Sequence, residues 1–207
     1  MALFLKTYLT RSCIVVLFIL FVSNSVKAQT EPVEPYEYDS ILKGGYHISF
    51  KMDDSLEYLY LKQKHRIITE LSSCSRGLPY KGLGYLAADF TGYFVLVHSF
   101  SGGNPTNIEL IEKKTGKNIL PLSAAWIDDV ENKQMLLYCE QDVPSEKDRM
   151  ILYNVQTGKK EAFPFPKAIF SEPQVLNRIS IKSLTATALT ISYDSEKGTK
   201  TKTYHRS

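Results

Sequence analysis

Three stretches of this 207-residue chain place residue types at spacings that could do chemistry. Thr115-Gly116-Lys117 returns as Thr157-Gly158-Lys159, and Gly-Lys is the heart of a phosphate loop. In "HSFSGG" the base type His98 stands beside the nucleophile types Ser99 and Ser101. "DDVEN", residues 128–132, gathers Asp128, Asp129 and Glu131, which suit calcium ligation or acid–base hydrolysis. Each stretch falls short of its chemistry. A phosphate loop is Gly-x-x-x-x-Gly-Lys-Ser/Thr between a strand and a helix. Here Asn118 and Lys160 follow the lysines, and the first glycine is missing. The chain has no Gly-x-Ser-x-Gly elbow and no His-Glu-x-x-His, and His47, His65 and His98 are not spaced for a metal. Neighbouring strand residues point to opposite faces, so Asp128 and Asp129 are poorly placed to cooperate. Hairpin turns favour Asp and Asn in any case. The expectation is a protein that is not an enzyme, with no metal and no cofactor.

The elements that would position these residues are strands. Runs such as "YHISFKM", "LEYLYLK", "YFVLVHSF", "QMLLYCE" and "ALTISYD" mix β-branched, aromatic and aliphatic residues and stop at Gly, Pro, Asn or Asp. Beyond residue 28 no segment of ten or more has a helical period; "FPKAIFSEPQVL", 165–176, has room for one short helical turn. A shift of 42 residues lays Tyr93–Val97 on Met135–Cys139, Ile108–Ile111 on Met150–Tyr153, and Thr115–Lys117 on Thr157–Lys159. A third copy is read in "TISYDSEKGTKTKTYH", with Lys197-Gly198 in its tight turn, and a fourth in "LYLKQKHRIITEL", with Lys64 in place of the glycine. Four strands per period of about 42 residues is the requirement of a β-propeller blade. The fold expected is therefore all-β, built of antiparallel meander repeats and small-propeller-like, with a β-sandwich as the alternative. In that setting the repeated glycine supplies the positive φ of a hairpin turn, and its lysine is a solvated charge that discourages edge pairing.

In a meander the turns alternate between two ends. The tight turns Asp89–Gly92, Thr115–Lys117, Asp129–Lys133 and Thr157–Lys159 should share one end. The long connections 72–84, 99–106, 141–148 and 164–176 then share the other, and loops carry function more often than scaffold. This long-loop end is the expected binding face, with Arg76, Tyr80, Lys81, Tyr85, Phe100, Asn104, Phe165 and Phe170 as its candidates. Phe165 and Phe170 have a competing reading as fillers between sheets. Tyr80 and Tyr85, beside glycines, are the tyrosines best placed to present area with a polar tip.

Residues 1–28 read as a secretory signal peptide. Lys6 and Arg11 precede the apolar run Cys13–Val22, and Ala28 precedes the cut. A run of ten is short of the roughly 20 apolar residues that span a bilayer, so no transmembrane anchor is expected after cleavage. The acidic, Pro-containing stretch 29–42 is expected to be a flexible lead-in, and 43–207 a single domain. Lys6, Arg11 and Lys27 are the only charges in 1–28, so the whole chain's 25 basic and 22 acidic residues become 22 of each beyond it. That neutrality gives no clustered basic face for nucleic acid. In an oxidising compartment Cys74 and Cys139 could form a disulfide. The functional expectation is an exported, periplasmic or extracellular binding protein with a protein–protein face and another exported or envelope protein as partner. A periplasmic inhibitor or immunity-type protein is its concrete form. The alternative is a carbohydrate-binding or glycan-system accessory, and a hydrolase ranks last.

Overall fold

Among the described residues, the β-formers and turn residues of the sequence produce fourteen strands in three antiparallel sheets. The computed structural model describes residues 40–76, 83–98, 107–170, 175–196 and 198–207, all within one compact unit, Pro35–Ser207. The first sheet runs β1 (Ser40–Leu42), β2 (Tyr46–Met52), β3 (Leu56–Gln63), β4 (Arg66–Ser75) in chain order. The second is a seven-stranded meander of β5 (Tyr85–Asp89), β6 (Tyr93–His98), β7 (Asn107–Glu112), β8 (Ala125–Val130), β9 (Met135–Cys139), β10 (Arg149–Asn154) and β11 (Lys160–Pro164). The third holds β12 (Ile179–Leu184), β13 (Ala188–Ser195) and β14 (Gly198–His205). Two short 3-10 turns, Lys167–Ile169 and Val175–Arg178, occupy the stretch where one helical turn was expected. β1 begins inside the expected lead-in, because Leu42 is drawn into a core cluster.

The second sheet is thin at one joint. β7 meets β8 through the single register pair Asn107–Ala125, joined by the bond from the Ile108 N–H to the Ala124 carbonyl at 2.9 Å. Beyond that point the chain packs as β5–β7 and β8–β11, and three hydrophobic clusters lie between successive units. Leu42, Ile48, Leu59 and Leu61 meet Phe94, Leu96 and Ile111. Val95, Val97, Ile108 and Leu110 meet Leu136, Tyr138 and Tyr153. Met135, Leu137, Cys139, Met150 and Leu152 meet Ile179, Leu189, Ile191, Tyr193 and Tyr204. Alternate residues of β6 and of β9 thus enter different cores. A strand covered on both faces reads as a continuous apolar run, which is why "FVLV" and "MLLYC" do not alternate, whereas β3 and β13, covered on one face, do. Each such aliphatic side chain contributes about 1.5–3 kcal/mol on burial.

The hairpins β6–β7 and β9–β10 share a register. Tyr93 pairs with Glu112 and Met135 with Asn154, 42 residues on at both positions. Their exits match as well. The Gly116 N–H bonds the Glu112 carbonyl at 2.7 Å and the Gly158 N–H the Asn154 carbonyl at 2.8 Å, with φ of +72° and +75°. Lys64 takes the same left-handed conformation at φ +54° between β3 and β4, where a glycine was looked for. The Gly198 hairpin differs. Lys133 Nζ donates to the Leu184 carbonyl, and Arg206 pairs with Glu161 at 2.7 Å, so β12 ends and β14 ends at the end of the tight turns. Gly198 therefore turns at the opposite end from Gly116 and Gly158, and the third copy read in the sequence is out of step by one strand.

Candidate functional site

At the tight-turn end the charged residues bind one another. Lys113 follows β7 and is 1% exposed. Its ammonium pairs with Asp89 Oδ1 at 2.6 Å and donates to the carbonyls of Phe90 at 2.6 Å and Lys43 at 3.0 Å. The other Asp89 oxygen accepts the Lys43 N–H at 2.7 Å. The Asp89 N–H in turn donates to Glu131 Oε1 at 2.8 Å, and Glu131 Oε2 pairs with Lys43 Nζ at 2.8 Å. The Thr91 N–H donates to Gln134 Oε1 at 2.8 Å. The β1–β2, β5–β6 and β8–β9 turns are thereby stitched into one charged hub.

The acids of "DDVEN" belong to this framework. Asp128 accepts the Ile181 N–H at 2.6 Å and the Asp129 N–H at 2.9 Å. Burial, and after it the charges of Asp128 and Glu131, push Asp129 up to about 6. Lys43 holds Glu131 below the usual carboxylate range despite its partial burial. Among the described residues no group of three or more His, Cys, Asp and Glu side chains is arranged to hold a metal.

The ends of β4, β6, β9 and β11 and the starts of β5, β7 and β10 lie at the opposite end. Arg76 is exposed, and its N–H bonds the Ser55 carbonyl at 2.9 Å. Tyr85 opens β5 and is 37% exposed. His98 Nε2 stands 3.8 Å from Glu109 Oε2 across β6 and β7. Tyr80, Lys81, Phe100 and Asn104 lie outside the described residues. Phe165 is not on the surface: it is 4% exposed in the core between β8–β11 and the third sheet. Phe170 packs edge-on against it with centroids 5.6 Å apart. Both pack in that cluster, because an apolar ring gains more from a cluster than from water.

The β9–β10 connection carries what the sequence reading missed. A pocket of about 230 Å³ opens there, lined by Cys139, Glu140, Gln141, Lys147, Asp148, Arg149 and Ile151. Its loop is held in shape by Asp148, whose Oδ2 accepts the Ser145 N–H at 2.7 Å and the Ser145 hydroxyl at 2.8 Å. Those bonds hold the Asp148 carboxyl below its ordinary range. Lys160 lies 3.5 Å from Glu140 and over the rings of Tyr138 and Tyr153 at 5.9 and 5.8 Å. The sequence showed the loop and its length; which of its charges are free is set by these pairings.

Cys74 and Cys139 are both free. Cys74 is on β4 with Sγ 3.9 Å from Glu57, and Cys139 is buried on β9 in a different sheet. Burial raises both thiols above their usual value. No helix among the described residues is long and apolar enough to cross a membrane. No family model, curated protein or solved structure matches the chain.

Proposed function

We propose that the chain is an exported, non-catalytic binding protein that docks another exported or envelope protein with its long-loop end. Export rests on the signal-like residues 1–28. The docking face rests on one contrast. At the tight-turn end Lys43, Asp89, Lys113 and Glu131 bind each other. The opposite end keeps a pocket with charged side chains on a turn already fixed by Asp148. An inhibitor or immunity-type protein that blocks a co-exported enzyme is the concrete form, since a rigid scaffold with one prepared face suits it. The fold belongs to the same proposal: β1–β4, β5–β7, β8–β11 and β12–β14 are read as four successive propeller-like blades, which the three intervening cores support.

Affinity capture from cell-envelope extract tests the reading. One stoichiometric protein should be recovered; recovery of none, together with turnover of a small substrate, overturns it. Tyr85, 37% exposed at the same end, is the observation that favours the glycan alternative. Glycan-array binding lost in Tyr85→Ala would put that reading first.

A further inference from the structure

The pocket between Cys139 and Ile151 is lined by two acids and two bases, so its residue count predicts no ligand. Their pairings do. Glu140 lies within ion-pair distance of Lys160, at 3.5 Å. Asp148 is engaged twice by Ser145, at 2.7 and 2.8 Å. Among the described residues the bases have no ion-pair contact of this kind. Lys147 engages the loop only through its backbone N–H, which donates to Ser145 Oγ at 3.4 Å. The Arg149 guanidinium donates to the Asp148 carbonyl at 3.4 Å and acts on the Asp148 carboxylate through its charge, without an ion-pair contact. Two exposed cations two residues apart thus line the pocket with the half-buried Ile151, and among the described residues neither has a carboxylate within ion-pair distance.

Size narrows the ligand. Small-molecule sites span about 300–1,000 Å³, and this pocket holds about 230 Å³. It suits one inserted group better than a whole metabolite. Arginine's planar fork matches a carboxylate with two parallel bonds. Val143, on the same loop, is an apolar residue left 74% exposed.

We propose that this pocket receives a carboxylate from an acidic segment of a protein partner, gripped by Arg149 and Lys147. The inference rests on the docking function above and names the chemistry of its partner. The carboxylate has two sources, an acidic side chain or a chain terminus, and the test separates them.

The ¹⁵N-labelled protein is titrated with N-acetyl-Glu-Glu-Glu amide, with N-acetyl-Gln-Gln-Gln amide, and with the latter as the free acid. Backbone amides of 139–141 and 147–151 are followed. The Glu peptide should shift them and the Gln amide should not. Lys147→Gln with Arg149→Gln should weaken the Glu peptide at least tenfold. These residues are exposed, so the variant keeps its fold. A response to the free acid alone supports the carboxylate and assigns it to a chain terminus. If no carboxylate peptide moves these amides, or the double variant binds as well as its parent, the proposal is wrong. Envelope capture with both proteins separates the two claims. Equal capture of one partner by parent and variant keeps the docking function and removes the pocket. Peptide binding without any captured partner does the reverse.

Discussion

Asp89→Ala should be among the most damaging single substitutions at the tight-turn end. The change removes the carboxylate 2.6 Å from the Lys113 ammonium and the acceptor of the Lys43 N–H. Lys113 is 1% exposed, so its charge cannot turn to water; it keeps carbonyl contacts, chiefly those of Phe90 and Lys43, and only the through-space attraction of Glu131. Breaking a buried pair by removing one member costs about 3–5 kcal/mol. The Asp89 side chain is 14% exposed, which favours the lower figure. With a urea slope of about 2 kcal/mol/M, a loss of about 3 kcal/mol lowers the unfolding midpoint by about 1.5 M. Trp126, the only tryptophan, packs against the core next to this hub and reports the transition by fluorescence. Lys113→Met in the Asp89→Ala background removes the stranded charge, so the double variant should recover part of the loss. A midpoint shift below about 0.5 M, or a double variant no better than Asp89→Ala, would refute the assignment of a buried, paired Lys113.

The two repeated glycines should answer differently to alanine. Both sit at positive φ, which costs a side chain about 1–2 kcal/mol, but a Cβ at Gly116 would collide with Thr69 Cγ2 while one at Gly158 meets nothing closer than 4.0 Å. Thermal melts should place Gly116→Ala well below Gly158→Ala; equal losses would contradict the packing of β4 on that turn. Asp129 has its folded pKa raised from 3.8 to about 6, so its contribution to stability is full below about pH 4 and is lost as pH rises through about 6. Asp129→Asn should accordingly stabilise the protein by up to about 3 kcal/mol above pH 7 and leave it unchanged at pH 4; a gain at both would place the effect elsewhere. Cys74 and Cys139 being free, a thiol assay on denatured, unreduced chains should find both reactive, and finding neither would establish a disulfide.

The strands were legible because each local signal had a single physical cause. Tyr46–Met52 and Leu56–Gln63 form the strands that their alternation and flanking turn residues indicate. Tyr93–Glu112 and Met135–Asn154 pair in registers 42 residues apart, and inserting one residue in either hairpin would have turned every side chain to the wrong core. The hub was harder to see. Lys113 falls on Val155 under the same offset, and a charge on an apolar position is a visible anomaly. Its partner Asp89 is more than twenty residues away, however, and only the stacking of units brings them together. Phe165 and Phe170 were ambiguous for a related reason: a loop aromatic reads alike whether it crosses a gap or faces water.

The Gly198 hairpin shows where local pattern loses its meaning. Its Lys-Gly turn resembles those of Gly116 and Gly158 because a tight hairpin asks for the same backbone anywhere. The end of the sheet on which it lies depends on how many strands precede it in its unit. Counted from β8, just past the thin β7–β8 joint, β10 and β11 flank Gly158 as third and fourth strands, whereas β13 and β14 flank Gly198 as second and third of their sheet. One strand fewer reverses the end. The Gly198 turn therefore lies at the same end as the β9–β10 loop and its Lys147–Arg149 pocket.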